Sequence, residues 1–328
     1  MVLPVVLVLN RDELRECLPM KEAISAVEEG FKHYKDAKSP RRVSISLEEH
    51  QGLFLYMPAY IGGVEALTIK EVSVHRNNPV KGLPTVQGTL LLNDPKEGTL
   101  LAIMEGGTLT AIRTGATTGV ATKYLARRDS RVLGIFGAGV QARTQVEAIN
   151  CVRSLSLVKV YDINPQAARS FSVSISKELG IDVIMAESPR DVLDGADIVV
   201  TATTSKNPVF SGEWVSPGTH INGIGSHTPG SRELDSETIR RCRLIVDSRE
   251  SCLEEAGDVI IPIREGVITE SHIKAELGEV VAGEKEGRLG EDDVTVFKSV
   301  GLALEDAAAS LRAYQIALRK GVGLKIWL

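Results

Sequence analysis

The apolar run Val132-Leu133-Gly134-Ile135-Phe136 leads straight into Gly137-Ala138-Gly139-Val140-Gln141-Ala142, and a helical pattern continues from there. No other stretch restricts the fold as strongly, because each residue type in it meets a geometric need. Gly137 permits a tight turn, and Gly139 lets a pyrophosphate reach the backbone. Ala142 keeps the helix against the sheet, and the helix N-terminus faces the phosphate charge. About 20 residues further on, Val160-Tyr161-Asp162 closes a second strand with a carboxylate. That group accepts hydrogen bonds from ribose hydroxyls and repels a 2′-phosphate, and no arginine follows directly to offset the repulsion. The pattern implies a dinucleotide site selective for NAD(H) over NADP(H). A glycine turn that only joined strand to helix would need no acid at that spacing.

The surrounding rhythm agrees. Short buried strands at 132–136, 157–161, 182–185, 198–202, 220–223 and 244–246 alternate with helices that include 140–153, 165–179 and 233–241. This alternation predicts an α/β fold, a Rossmann-type doubly wound parallel sheet covered on both faces. Before about residue 125 the pattern differs. Pro19 precedes a helix with Ile24, Val27, Phe31 and Tyr34 on one face. Val43, Ile45 and Leu47 alternate with polar residues as in a half-buried strand. Further strands are expected at 53–57, 67–74, 85–92 and 99–104, the last two flanking a hairpin loop at 93–98. This part reads as α+β with antiparallel pairing. Near the end, 301–319 predicts an amphipathic helix with Ala307, Leu311, Tyr314 and Leu318 in register and Gly321 as its cap.

Composition excludes several function classes. The 328 residues suffice for two domains, and 43% hydrophobic with 25% charged residues is the balance of a soluble globular chain. A net charge of −5 leaves no basic footprint for nucleic acid, and no apolar run is long enough to span a bilayer. The apolar start, Met1 to Val8, lacks a basic leader and reads as a first strand rather than a signal peptide. Cys17, Cys151, Cys242 and Cys252 form no CxxC pair, which implies reduced thiols in a cytoplasmic protein. The six histidines show no metal-ligand spacing, so no bound metal is expected.

A resemblance adds to this reading. Pro40-Arg41-Arg42-Val43, Lys70 and Lys81-Gly82-Leu83-Pro84-Thr85-Val86 come first. Ala111-Ile112-Arg113-Thr114-Gly115-Ala116, the 137–141 turn, His220-Ile221-Asn222, Ser299-Val300-Gly301 and Glu305-Asp306 follow in order. In order and spacing the chain resembles the ornithine cyclodeaminase/mu-crystallin family over nearly its whole length. The resemblance implies an α+β substrate and dimerisation domain of residues 1–122 with 302–328, the final helix returning to it. A dinucleotide domain of 123–301, a homodimer and a small amino or imino acid as substrate are also implied. It implies that Arg42, Lys70 and Arg113 hold the substrate carboxylate, with Thr228 beside them and Lys70 also catalytic. It further implies a cofactor set of Thr85, Arg113, Thr114, Gly137, Gly139, Val140, Gln141, Asp162, Thr203, Ile224 and Val300. The chemistry is consistent, since a carboxylate is fixed by a guanidinium fork or an ammonium. Composition alone would make Arg42 a solvated surface charge. Lys70 is different, because it interrupts the apolar run Leu67-Thr68-Ile69, and Arg113 sits among the small residues of 108–121.

The informative departure is at Gly225-Ser226-His227-Thr228-Pro229-Gly230. Ornithine cyclodeaminase and an archaeal alanine dehydrogenase relative carry an acid/base aspartate where His227 stands, and the cyclodeaminase also has a glutamate matching Leu55. A charged side-chain amine calls for carboxylates, so their replacement favours reduction of a small imine. The expectation is an NAD(H)-dependent reductase of Δ1-pyrroline-2-carboxylate that forms L-proline. His227, or a water it holds, either supplies the nitrogen proton or only caps its loop. Alternatives are an alanine dehydrogenase, an ornithine cyclodeaminase, and a non-catalytic binding protein of the mu-crystallin kind. The third fits poorly with three cations set for a carboxylate.

Overall fold

The computed structural model describes residues 5–75 and 77–328. The chain divides into two compact units, Met1–Arg113 with Leu302–Leu328, and Thr114–Gly301. The first division falls inside a continuous helix, Gly106–Leu125, earlier than the expected boundary at 122.

The first unit is built on an eight-stranded sheet. Its strands are β1 (Val5–Leu9), β2 (Ala37–Lys38), β3 (Val43–Leu47), β4 (Gly52–Ile61), β5 (Ala66–His75), β6 (Val86–Asn93), β7 (Leu100–Glu105) and a C-terminal strand, Leu324–Trp327. The order runs from the C-terminal strand through β1, β7, β6, β5 and β4 to β2, with β3 also on β4. All neighbours are antiparallel except β1 and β7. The expected first strand is thus seen from Val5, while Met1 to Pro4 lie outside the described residues.

Strand β4 runs through Pro58, well past the expected end at 57. On one side it pairs along its whole length with β5. On the other, β3 covers 52–56 and β2 covers 60–61, so Pro58 falls in the interval between them, where a missing N–H breaks no ladder bond. β3 forms as expected but is not half-buried: Val43 is 59% and Ile45 48% exposed, and among the described residues β3 pairs only with β4.

Two helices cover the sheet. Met20–Lys32 buries Ile24, Val27 and Phe31, whereas Tyr34 lies beyond its end in a separate 3-10 turn. Ala303–Lys320 packs on that helix and across β4 and β5. Its buried face differs from the expected stripe. Ala303, Ala307, Ala313 and Ala317 are buried, while Leu318 is 52% exposed and Leu311 and Tyr314 only half-buried. Small residues let the two helices approach closely: a Cβ placed on Gly30 would lie 2.9 Å from the Ala308 methyl. Gly321 caps this helix in the left-handed region, at φ 69°.

The second unit holds β8 (Val132–Phe136), β9 (Leu157–Tyr161), β10 (Asp182–Met185), β11 (Ile198–Thr201), β12 (His220–Gly223), β13 (Arg243–Val246), β14 (Ile273–Glu276) and β15 (Thr295–Lys298). The sheet is parallel throughout, in the order β10-β9-β8-β11-β12-β15-β13-β14. Leu133 and Ile135 feed one core with Val146, Val158 and Val160, while Phe136 feeds the opposite core with Ile221 and Leu244. A strand buried on both faces reads as an unbroken apolar run, which made β8 and β11 legible. β14 and β15 were not expected. Each is four residues long, and each carries lysine, Lys274 or Lys298, in place of a clean apolar run. Among the described residues no helix is long and apolar enough to cross a membrane.

Candidate functional site

In the first unit, Lys70 points from β5 to the surface covered by the C-terminal helix. Its Nζ lies 2.7 Å from Asp306 Oδ2 and donates to Thr110 Oγ1 at 3.4 Å. Arg113 Nε donates to Asp306 Oδ1 at 2.9 Å and Nη1 to Glu305 Oε2 at 2.5 Å. All four charged groups are buried, and two cations face two carboxylates, so the cluster is neutral as a whole. The local backbone explains the arrangement. Gly88 on β6 and Gly106 at the helix start approach so closely that a Cβ on Gly106 would lie 2.5 Å from the Gly88 carbonyl carbon. That approach lowers the helix onto the sheet, and Thr110 and Arg113, three residues apart on it, share the face toward Lys70.

Burial pulls the Lys70 ammonium down to about 8, with Asp306 opposing the shift and Arg113 adding to it. Burial works against the Arg113 charge too, but Asp306 and Glu305 more than offset it and raise its pKa. An ammonium poised near neutrality and a guanidinium locked in the charged form can hold a carboxylate, and the ammonium can also exchange a proton.

In the second unit, Gly137 has φ +97°, and a Cβ there would lie 2.6 Å from the Ala202 carbonyl oxygen. Gly139 caps the helix Val140–Val152 without any side-chain bond to its first-turn amides, and a Cβ on Gly139 would meet nothing within 4 Å. The helix start therefore presents first-turn amides with no side-chain cap and open space at Gly139, which fits a pyrophosphate. Asp162, just after β9, accepts from the Ala138 amide at 2.9 Å and the Asn164 amide at 2.8 Å. Each oxygen keeps a second lone pair for a ribose hydroxyl. These residues fit a dinucleotide.

The other expected residues fall as follows. Arg42 is half-buried between β2 and β3, and Thr85 precedes β6, its carbonyl accepting from the His75 amide at 2.8 Å. Thr114 is buried on the long helix. Val140 is 76% exposed on the first turn after Gly139, with Gln141 beside it. Thr203 follows β11, and the Ile224 amide donates to the Thr201 carbonyl at 2.9 Å. The Val300 amide donates to Asp247 Oδ2 at 2.7 Å. His227 is exposed, with Nδ1 3.1 Å from the Gly225 carbonyl of its own loop, and Thr228 donates to Ser231 Oγ at 3.1 Å. The structure thus brings Lys70 and Arg113 together through a shared carboxylate.

Sequence reasoning named Glu305-Asp306 without giving them a role, and missed the other groups that hold these residues: Thr110 in the first unit, and Asp247, Glu233, Asp258 and Lys298 in the second. A signal existed for the acid pair, two carboxylates inside an otherwise small and apolar helical turn, Ala303 to Ala309. His220 is also fully buried, bonded through Nδ1 to Thr295 Oγ1 at 2.9 Å and through Nε2 to Asn222 Oδ1 at 3.2 Å. Burial, with Arg288 adding, drops its pKa to about 3, so it is neutral and structural.

Known proteins match this arrangement along the full chain. A solved Thermococcus litoralis Δ1-pyrroline-2-carboxylate reductase, in complex with NADH and L-proline, superposes with a TM-score of 0.94 at 51% identity, covering 98% of this chain and 100% of that one. An alanine dehydrogenase of Archaeoglobus fulgidus is 40% identical over 320 residues, 98% of each chain. A Δ1-pyrroline-2-carboxylate reductase of Bacillus cereus is 39% identical over 323 residues, 98% of this chain and 99% of its own. The family model for ornithine cyclodeaminase/mu-crystallin proteins matches residues 5–321, and the chain belongs to that family.

Proposed function

We propose that the protein is an NAD(H)-dependent reductase of a small cyclic imino acid, converting Δ1-pyrroline-2-carboxylate to L-proline. The observation that carries this choice is the face around Lys70. Met57 and Leu90 lie directly across from Lys70, and Leu55 lies across from Val72 on the same face. Apolar side chains surround the cationic pair, and the carboxylates present, Glu305 and Asp306, are committed to Lys70 and Arg113. Such a surface suits an uncharged ring bearing one carboxylate. The likeness to reductases from Thermococcus litoralis and Bacillus cereus supports the same reading.

Arg42, Lys70 and Arg113 bind and orient the substrate carboxylate, with Thr228 beside it. The 137–141 turn, Asp162, Thr85, Thr114, Thr203, Ile224 and Val300 hold the dinucleotide. NADH, when bound, supplies the hydride that reduces the imine carbon. His227, directly or through a water, delivers the proton to the imine nitrogen. Undiminished turnover by His227→Ala would remove that residue from the chemistry. We also infer a cytoplasmic homodimer. Its support is the four scattered cysteines, none in a CxxC pair, and the exposed Val43, Ile45, Leu83 and Val86 of the first unit.

The deciding experiment is steady-state turnover with NADH on pyrroline-2-carboxylate against pyruvate plus ammonia. The cyclic imine is expected to win by about tenfold or more in kcat/KM, a difference of about 1.4 kcal/mol. Turnover of pyruvate and ammonia alone would make the protein an alanine dehydrogenase. Ammonia released from ornithine without net NADH formation would make it a cyclodeaminase.

A further inference from the structure

The Glu233 side chain is fully buried in the second unit, and four donors converge on it. Oε1 accepts from the Thr203 amide at 2.6 Å. Oε2 accepts from Thr201 Oγ1 at 2.8 Å, the Gly225 amide at 2.7 Å and the Ser226 amide at 3.2 Å. Two of these donors lie at the end of β11 and two just after β12. Lys298, the last residue of β15, donates Nζ to the Gly223 carbonyl at 3.1 Å and the Ser226 carbonyl at 2.6 Å, and faces Asp258 at 2.9 Å. Asp258 in turn accepts the amides of Glu233 at 2.7 Å and Leu234 at 2.8 Å. An acid–base–acid trio therefore braces the carboxyl ends of three neighbouring strands.

The junction leaves no slack. A Cβ on Gly225 would collide with the Thr203 carbonyl and with Glu233. Burial raises the pKa of Glu233, yet three of its partners are backbone amides, which can only donate, and two of them meet Oε2, which favours the carboxylate form. A glutamine would bring one oxygen and turn an NH2 group against an N–H.

A doubly wound sheet is two mononucleotide-binding halves, with ligands outside the carboxyl ends of the strands. Here Gly137 and Asp162 belong to the half built on β8, β9 and β10. The trio sits in the other half, under Thr203 and Ile224 and at the root of the loop bearing His227 and Thr228. We propose that Glu233 is the positioning residue of the nicotinamide half: it holds Thr203 and the 224–228 loop in one frame for hydride and proton transfer. Affinity for the dinucleotide comes mainly from the other half. This rests on the NAD(H) reductase reading above.

The test uses the full chain with Glu233→Gln and Thr201→Val, the second keeping the carboxylate and removing one donor. In NADH-free protein, Glu233→Gln should speed amide exchange by about tenfold or more in 201–205 and 223–228 while leaving β8 and β9 protected. NADH affinity, read by fluorescence titration, should move less than about threefold, whereas kcat should fall about 100-fold, the scale of misplacing a reacting group by about 1 Å. KM for the imine should change little, and Thr201→Val should shift everything the same way but less. Wild-type kcat in both variants would overturn the proposal. So would exchange rising over the whole sheet with NADH affinity falling in step, because Glu233 would then only support the core. Were the wild type to reduce no imine, the reductase reading would fail, and the exchange and NADH arms would still decide this one.

Discussion

Replacing Asp306 with asparagine isolates the buried charge cluster of the first unit. Asp306 faces Lys70 at 2.7 Å and Arg113 at 2.9 Å, so the substitution leaves two buried cations against Glu305 alone. Breaking a buried pair in this way costs about 3–5 kcal/mol. The Lys70 share of that cost depends on pH in a defined direction. In the folded wild type Lys70 releases its proton near 8, in the unfolded chain near 10.5. Between those values the unfolded chain holds the extra proton, so stability rises with pH across that window, by about 3 kcal/mol from this group. Below it both states are protonated and the cost of burying the ammonium is fully present. Without Asp306 the folded pKa drops further below 8, and the window opens earlier. The penalty of Asp306→Asn is therefore largest where Lys70 is charged in both proteins and shrinks as pH rises through about 8, leaving only the Arg113 part. Urea unfolding of both proteins at about pH 6 and about pH 9, with unchanged m-values, reads this directly. A penalty below about 1 kcal/mol, or one equal at both pH values, would refute the coupling of Lys70 to Asp306.

Four further outcomes follow from the second unit. Gly137→Ala should lose about 1–3 kcal/mol in thermal unfolding, because φ is +97° and the new methyl meets the Ala202 carbonyl. Gly139→Ala should melt like wild type yet bind NADH about tenfold or more weakly, since its methyl occupies open space meant for pyrophosphate. The buried His220 stays neutral to about 3 while the unfolded chain protonates near 6.5, so wild-type stability falls with decreasing pH in that range, by about 1.4 kcal/mol per unit. His220→Gln should flatten the slope between about pH 6.5 and pH 4 in denaturant titrations. Asp162→Ser should weaken NADH while narrowing its advantage over NADPH to within about tenfold, measured by paired titrations.

The two halves of the chain differed in legibility for a physical reason. In the second unit β8 is buried along nearly its whole length and Gly137 takes a positive φ, so local sequence and final environment coincide at Val132 to Gly137. In the first unit they diverge. Val43 and Ile45 alternate as a half-buried strand should, but among the described residues β3 pairs only with β4 and both stay exposed. Leu318 looked like core and is exposed, because alanines set the approach of the last helix and leave Leu318 outside.

The site shows the same divide at a finer scale. Lys70 stood out as a charge inside an apolar strand, a conflict that local sequence can register. What neutralises it could not be read, since Asp306 comes 236 residues later and meets Lys70 only once β5, the long helix and the last helix are packed. Glu233 is the corresponding case in the second unit: its four donors come from the end of β11, the loop after it and the loop after β12, and no spacing in the chain announces them. Groups that touch a ligand have recognisable chemistry of their own. Groups that hold them in place are defined by contacts across the fold, and at both half-sites those contacts are buried carboxylates whose expense in desolvation is met only by converging donors.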